Sequence, residues 1–260
     1  MAAMKQHGHL RESVLPLFPT PGDEDEATVA APLSARLPSY ITDHRKRLRD
    51  RFMETAGQGV AEYELLELIL FRAIPRQDVK PLARRLLDTF GDLARTISAP
   101  PARLMQVHGV GDAVILELKL IEVTSQRMAR SRVIQRPVLS SWNALLDYCH
   151  TVMSHADREH FRILFLDRKN VLIADEEQSQ GTVDHVPVYP REVVRRALEL
   201  GASALILVHN HPSGDPTPSS ADIDMTQQIA KACAVLGITL HDHLIIGKSR
   251  EVSLRSERLF

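Results

Sequence analysis

Two histidines separated by one residue follow an apolar stretch in the C-terminal half of the chain. The stretch runs from Ser203 to His209, and His211 opens a loop rich in proline and glycine. Side chains alternate along a strand, so His209 and His211 are expected to point the same way at the end of a predicted strand. Asp222 lies in the first turn of the next predicted helix, and the loop can bring its carboxylate to the imidazoles. Two histidines, one carboxylate and an open fourth position are typical of a catalytic site holding one zinc ion.

Such a site needs a proton carrier besides its ligands. Zinc lowers the pKa of a bound water to near 7, and a side chain that is not a ligand must then move the proton. Glu176 is the candidate, and Glu177 beside it is the alternative. Both lie at the end of a predicted strand, and pairing of the central strands would bring one of them alongside His209.

Simpler interpretations of the same residues stay open at this point. Ser219 and Asp222 have the spacing of a helix capping box, which needs no metal. Asp224 is a near alternative to Asp222 as a ligand. A second His-x-His pattern, at residues 241–243, lacks a third ligand at a recognisable spacing. We interpret it as polar residues of the core and of a strand edge.

Composition excludes several classes of protein. Hydrophobic residues make up 44% and charged residues 25% of the 260-residue chain, as in a globular protein. The net charge of −1 provides no general attraction to nucleic acid or membrane. No apolar run approaches the ~20 residues that span a bilayer. Two cysteines, Cys149 and Cys233, suit a reducing compartment, are expected to be buried, and indicate a cytoplasmic protein.

The character of the sequence changes along the chain. Residues 1–37 carry four prolines and an acidic run, which predicts a disordered tail. Helical periodicity predicts an all-α domain over residues 38–125. Residues 126–138 are interpreted as a linker. Residues 139–260 mix strands and helices without a regular βαβ alternation, which predicts an α+β or three-layer α/β domain.

Within that last region, individual elements can be predicted from periodicity and turn residues. The predicted strands cover residues 161–166, 170–176, 203–209 and 240–246, and the predicted helices cover residues 190–200 and 220–236.

A Gly-x-Gly turn in the helical region could contact a phosphate backbone. Gly109, Val110 and Gly111 precede a predicted helix, in the pattern of a helix-hairpin-helix over residues 107–121. The glycines let the backbone approach a phosphate, and the amides of the helix start point towards it. Such contacts hold DNA without reading its sequence. The same turn can also join two helices for packing alone.

The full pattern resembles a known family. The spacing of His209, His211, Ser219 and Asp222 is similar to that of the JAB/MPN/JAMM metalloprotease-like domain. Gly181-Thr182, the run 190–193 (Pro-Arg-Glu-Val) and the segment from Leu205 to Gly214 resemble the RadC branch (UPF0758), whose N-terminal half matches as well. The resemblance implies an MPN/JAB fold with cytidine-deaminase-like three-layer architecture, preceded by a helix-hairpin-helix region.

The resemblance also implies roles for individual residues. His209, His211 and Asp222 would be the zinc ligands, Glu176 the general acid/base, and Ser219 the hydroxyl that stabilises an oxyanion. The one-residue ambiguity with Glu177 remains.

Two functions follow as expectations. The first is a zinc-dependent metallopeptidase that cleaves a peptide or isopeptide bond of a protein substrate. The second is a DNA-binding accessory protein of repair or recombination, with or without nuclease activity. Zinc-activated water can attack an amide or a phosphodiester, so the ligands alone do not choose between these targets.

Overall fold

The computed structural model of the protein describes residues 39–180 and 188–260. The predicted tail over residues 1–37 and the Gly181-Thr182 pair lie outside the described residues. Among the described residues, no helix is both long and apolar enough to cross a lipid bilayer.

Helices alone form the N-terminal part of the described chain, as the periodicity predicts. They are α1 (Ser39–Thr55), α2 (Glu62–Ala73), α3 (Lys80–Phe90), α4 (Leu93–Ser98), α5 (Pro101–Leu104) and α6 (Asp112–Ser131). Their apolar faces meet in one buried cluster that includes Leu66, Leu70, Leu86, Leu104 and Leu118. Burial of these leucines holds the helices together.

The predicted linker over residues 126–138 is partly wrong, because α6 continues to Ser131. Glutamine, arginine, methionine and alanine, which dominate this stretch, are good helix formers. In addition, Ala129 packs against the apolar core of the C-terminal half. The helix therefore extends from one core to the next and covers the first part of the predicted linker.

A single mixed sheet organises the C-terminal half. After a short 3-10 helix (Val138–Ser141) come α7 (Trp142–Met153), β1 (His160–Leu166), β2 (Leu172–Gln180), α8 (Pro190–Glu199), β3 (Ala204–Asn210), α9 (Ser220–Val235), β4 (Thr239–Ile246) and β5 (Glu251–Ser253). All four predicted strands and both predicted helices of this region are present, with ends shifted by a few residues. The short strand β5 was not predicted.

The strands lie in the order β2-β1-β3-β4-β5. β1 pairs antiparallel with β2 and β3, whereas β3 and β4 are parallel and joined by α9. The sheet therefore contains one βαβ unit, which the irregular alternation of the sequence did not indicate. This unit puts β4 directly beside the strand that carries His209.

Both faces of the sheet are covered, which makes the domain three-layered. One face, with Leu164, Val208 and Ile246, packs against α7. We call it the α7 face. The other face, with Phe161 and Leu207, packs against α8 and α9, and we call it the α9 face. β3 is buried over its whole length, since it has neighbours on both sides and both faces. The two cysteines are free and buried, as predicted.

A tight turn after β4 should be intolerant of any side chain. A Cβ on Gly247 would lie 2.8 Å from the carbonyl oxygen of Arg250 and closer still to that of Gly214. We therefore expect Gly247→Ala to lower the free energy of unfolding by about 1–3 kcal/mol, measured by urea denaturation. Gly111→Ala is the matched control, because a Cβ there meets nothing within 4 Å. Equal stability of the two variants would contradict this account of the turn.

Candidate metal centre

Three side chains with metal-ligating atoms meet where β3 ends and α9 begins. Ligand atoms of His209, His211 and Asp222 all lie within 4.8 Å of one another. His209 is fully buried near the end of β3, and His211 is held just past that end by a backbone hydrogen bond to Ile246 (3.0 Å). The pairing of β3 with β4 therefore fixes both histidines, as expected for ligands on a rigid strand end.

The spacing of these atoms suits a four-coordinate zinc ion. His209 Nε2 lies 3.0 Å from His211 Nε2 and 3.4 Å from Asp222 Oδ1, and His211 Nε2 lies 3.7 Å from Asp222 Oδ2. Metal–ligand bonds of about 2.0–2.1 Å in a tetrahedron put ligand atoms about 3.3 Å apart. The two imidazole nitrogens and the Asp222 carboxylate, whose Oδ1 is nearer His209 and whose Oδ2 is nearer His211, thus have separations close to those of tetrahedral ligands.

A hydrogen bond to the backbone sets the tautomer of His211. Its Nδ1 lies 2.8 Å from the carbonyl oxygen of Asp215. A carbonyl oxygen only accepts, so Nδ1 carries the proton and donates it. In the neutral ring, the lone pair is therefore on Nε2, which faces His209 and Asp222.

A chain of buried hydrogen bonds sets the tautomer of His209. The Thr226 hydroxyl donates to the backbone carbonyl of Asp222 (2.5 Å), so its oxygen must accept from His243 Nδ1 (2.5 Å). The neutral ring of His243 then has a lone pair on Nε2, which accepts from His209 Nδ1 at 2.8 Å. His209 Nε2 is consequently an acceptor that faces the site. Two imidazole lone pairs and a carboxylate converge on one point, which is the donor set of a metal site.

Burial keeps His209 and His243 neutral and hydrogen bonding keeps Asp222 ionised, which are the protonation states that a metal requires. Burial lowers the pKa of His209 to about 4 and that of His243 well below 6.5. Burial opposes ionisation of Asp222, but a hydrogen bond from the protonated ring of His211 and the hydrogen bonds from Ser219 outweigh it and hold that pKa well below its usual range. The hydrogen bond to Asp222 raises the pKa of His211. A metal therefore competes with a proton mainly at His211.

The structure is consistent with both interpretations of Asp222, as part of a helix capping box and as a candidate metal ligand. Ser219 Oγ accepts from the Asp222 amide (3.2 Å), and Asp222 Oδ2 accepts from the Ser219 amide (2.8 Å). The Ser219 hydroxyl also donates to Asp222 Oδ2 (2.7 Å). These bonds start α9 and aim the carboxylate at the two imidazoles. Asp224, the alternative ligand, is exposed and lies outside the cluster.

Strand alternation separates Glu176 from Glu177. Glu176 pairs with Ile163 and lies on the α9 face, as His209 does. Glu177 points to the α7 face, where His160 (2.7 Å) and Arg162 (3.4 Å) bind its carboxylate. Only Glu176 therefore lies on the same side of the sheet as the ligand cluster.

An arginine holds Glu176 in the structure. Arg196 of α8 donates to Glu176 Oε2 from Nε (2.8 Å) and to Oε1 from Nη2 (2.5 Å). This two-pronged bond lowers the pKa of Glu176. Glu176 is not one of the residues whose ligand atoms cluster within 4.8 Å. The roles of Glu176 and Ser219 in catalysis stay predictions.

The Gly-x-Gly turn lies between α5 and α6, as predicted. Gly109 has a φ of +95°, a conformation that favours glycine, and the Arg85 guanidinium lies beside it. Gly111 caps α6, and Asp112 places a carboxylate in the first turn of that helix. A guanidinium near Gly109 favours a phosphate at this turn, and the carboxylate of Asp112 opposes one. DNA binding through Gly109, Val110 and Gly111 stays a prediction.

The buried side chains that orient His209 were not predicted from the sequence. His243 was interpreted as a polar core residue, and Thr226 was not singled out. Both are fully buried and lie directly behind His209. A buried histidine on an apolar strand next to β3 is a usable signal, but only once the parallel pairing of β3 with β4 is known.

The fold and the site define the class of the protein. A three-layer domain with His-x-His at a strand end and a carboxylate in the following helix is typical of a JAB-type domain. A family model described as a RadC-like JAB domain matches residues 139–259.

Two relatives match nearly their whole length. A UPF0758 protein of Ruegeria pomeroyi is 70% identical over 221 residues, which is 85% of this chain and 99% of the relative. A UPF0758 protein of Rhodobacter capsulatus is 71% identical over 212 residues, which is 82% of this chain and 99% of the relative. The chain belongs to the RadC family. The JAB superfamily includes metal-dependent hydrolases, whereas neither relative's name states an activity.

The buried hydrogen-bond chain should control metal affinity. We expect Thr226→Val to weaken zinc binding about 10- to 100-fold, because His243 loses its acceptor and no longer fixes the tautomer of His209. Competition with a chromophoric chelator measures the affinity. Thr151→Val is the matched control, since its hydroxyl is exposed and bonds only within α7 (to Asp147 O, 2.7 Å). Unchanged affinity in Thr226→Val would contradict the proposed chain.

Acid should lower the free energy of unfolding of the metal-free protein already at pH values where the buried imidazoles of the folded protein are still neutral. His209 and His243 have lowered pKa values when folded, so the unfolded chain takes up protons first as the pH falls below 6.5. Their contribution to stability is present above pH 6.5 and is lost as the pH falls towards 4. Each histidine contributes a slope of up to about 1.4 kcal/mol per pH unit, which His211 opposes in part.

Urea denaturation in the presence of a chelator at pH 7 and pH 5 measures this loss. His108→Ala is the control, because His108 is exposed and its imidazole stays in water. A free energy of unfolding that is the same at both pH values would show that the two rings are not buried in the neutral form.

Proposed function

We propose that the protein is a zinc-dependent hydrolase of JAMM type that cleaves a peptide or isopeptide bond. The observation that supports this most is the convergence of two imidazole lone pairs and one carboxylate at the end of β3. His209, His211 and Asp222 would hold the ion, and their spacing fits it. A zinc ion bound there supplies a Lewis acid that polarises a carbonyl oxygen and activates water.

The side chains that would bind the metal are already held in position without it. The Asp215 carbonyl and His243 accept hydrogen bonds from the two rings, and the Ser219 hydroxyl donates one to the carboxylate, so all three groups are fixed. Little reorganisation is therefore needed on binding, which favours a firmly held ion. Three protein ligands leave a corner for a substrate, as in catalytic zinc sites and unlike closed structural ones.

Glu176 is the proposed proton carrier. Its carboxylate would take a proton from the attacking water and pass it to the leaving amine. It lies on the α9 face with His209, whereas Glu177 lies on the other face. Arg196 holds both oxygens of Glu176 in the structure, so the proton transfer requires this ion pair to open.

Ser219 has one proposed role before a cation binds and another afterwards. In the structure, its hydroxyl donates to Asp222 and so positions a ligand. Once a cation neutralises that carboxylate, the same hydroxyl can rotate towards an oxyanion on the substrate. The backbone amide of Ser219 would continue to hold Asp222.

Metal analysis combined with a substrate screen tests the proposal. We expect the purified protein to hold one zinc ion and to cleave members of a panel of peptides, isopeptide-linked conjugates and structured DNAs. Glu176→Gln should keep the metal and lose about 10²- to 10⁴-fold in rate. His211→Ala should lose metal and activity together.

Glu177→Gln is the matched control, since it makes the same chemical change on the other face of the sheet. We expect it to keep metal content and the rate of cleavage of an uncharged peptide. Full activity of Glu176→Gln would eliminate it as the base, and cleavage of DNA without cleavage of any amide would favour the phosphodiester alternative. A protein without metal and without activity would refute the hydrolase.

A further inference from the structure

A continuous cleft separates the helical half from the C-terminal half, on the side of α7. Three adjoining cavities form it, with volumes of about 660, 510 and 150 Å³. His155 lines all three cavities, and Arg103 and Lys248 each line two of them. The walls come from α4, α5 and α6 on one side and from α7 and the start of β1 on the other. We call this space the interdomain cleft.

The interdomain cleft reaches the loop that carries a metal ligand. Pro212, which directly follows His211, lines its smallest cavity. The Lys248 side chain packs on Gly214 of the same loop, and its Nζ donates to the Ser213 carbonyl (3.4 Å). A chain bound in the cleft would therefore pass close to the metal centre.

Every carboxylate that lines the interdomain cleft already has a cationic partner. Asp157 binds Arg103 at 3.4 Å, Glu122 binds Lys119 at 2.8 Å, and Glu177 binds Arg162 and His160. Two cations of the lining, Lys248 and Arg158, have no carboxylate within 4 Å in the described parts of the chain. The charge that remains available in the cleft is thus positive.

A buried polar atom in the same space also lacks a partner. His155 Nδ1 is shielded from solvent and makes no hydrogen bond to any described residue. An unpaired buried polar group is unfavourable, so this space contains a polar atom that the described residues leave unsatisfied. His155 shares a cavity with each of the two unpaired cations.

We propose that the interdomain cleft binds an acidic segment of the polypeptide substrate, with carboxylates paired to Lys248 and Arg158. The inference rests on the proposed function, because this segment would lead the scissile bond to the metal centre. Two unpaired cations match separated carboxylates better than a continuous polyphosphate backbone. The apolar side chains of Ile97 and Val152 suit a peptide between the charges.

Fluorescence anisotropy with the full-length, chelator-treated protein tests the cleft without hydrolysis. The probe is a labelled twelve-residue peptide with glutamate at every second position, and its partner carries glutamine instead. We expect the glutamate peptide to bind more tightly, and to weaken as salt is added. Combined Lys248→Ala and Arg158→Ala substitutions should weaken it about fivefold or more.

Lys231→Ala controls for the loss of a positive charge elsewhere on the surface, since Lys231 is exposed on α9 and away from the cleft. Equal binding of the two peptides, or an equal loss in Lys231→Ala, would overturn the proposal. A twelve-nucleotide thymidine oligomer that displaces the peptide and depends more strongly on the same two cations would overturn it in favour of nucleic acid.

The two proposals fail in different ways. A protein that binds the glutamate peptide but holds no metal and cleaves nothing overturns the hydrolase and keeps the cleft. A protein that cleaves amides but binds neither peptide overturns the cleft and keeps the hydrolase. Both proposals are supported if acidic substrates are cleaved faster than neutral ones and if the combined Lys248→Ala and Arg158→Ala variant loses this difference.

Discussion

The whole site depends on which nitrogen of each imidazole carries its proton. A carbonyl oxygen ends each hydrogen-bond chain, that of Asp215 behind His211 and that of Asp222 behind His209. Because a carbonyl only accepts, protons are directed away from the centre and lone pairs towards it. Asp222 thus contributes twice, through its carboxylate as a candidate ligand and through its backbone as the terminus of the chain that orients His209.

Ordinary elements of local structure build this arrangement. The capping box that starts α9 also aims the ligand carboxylate, so one set of bonds serves the helix and the site. The parallel βαβ unit brings His243 of β4 behind His209 of β3, and the same α9 supplies Thr226 between them. Fold stability and metal affinity are therefore coupled, since a change that frays α9 also releases a ligand.

Much of the domain could be predicted from periodicity alone. Strands β1 to β4 and helices α8 and α9 follow local signals, and the His-x-His spacing indicates the ligands. The first part of the predicted linker is helical because helix propensity and the packing of Ala129 extend α6 to Ser131. The choice between Glu176 and Glu177 needed the pairing register with β1, which no local pattern contains.

The sequence by itself determined the ligand types, their spacing, the strand that carries them and the family. Tertiary structure alone decided what stands behind each ligand, which glutamate shares their face, and that a positively charged cleft adjoins them. The physical reason is the range of the interactions. Periodicity and capping act within a few residues, whereas His243 meets His209 across 34 residues, and the interdomain cleft joins helices and strands more than 50 residues apart.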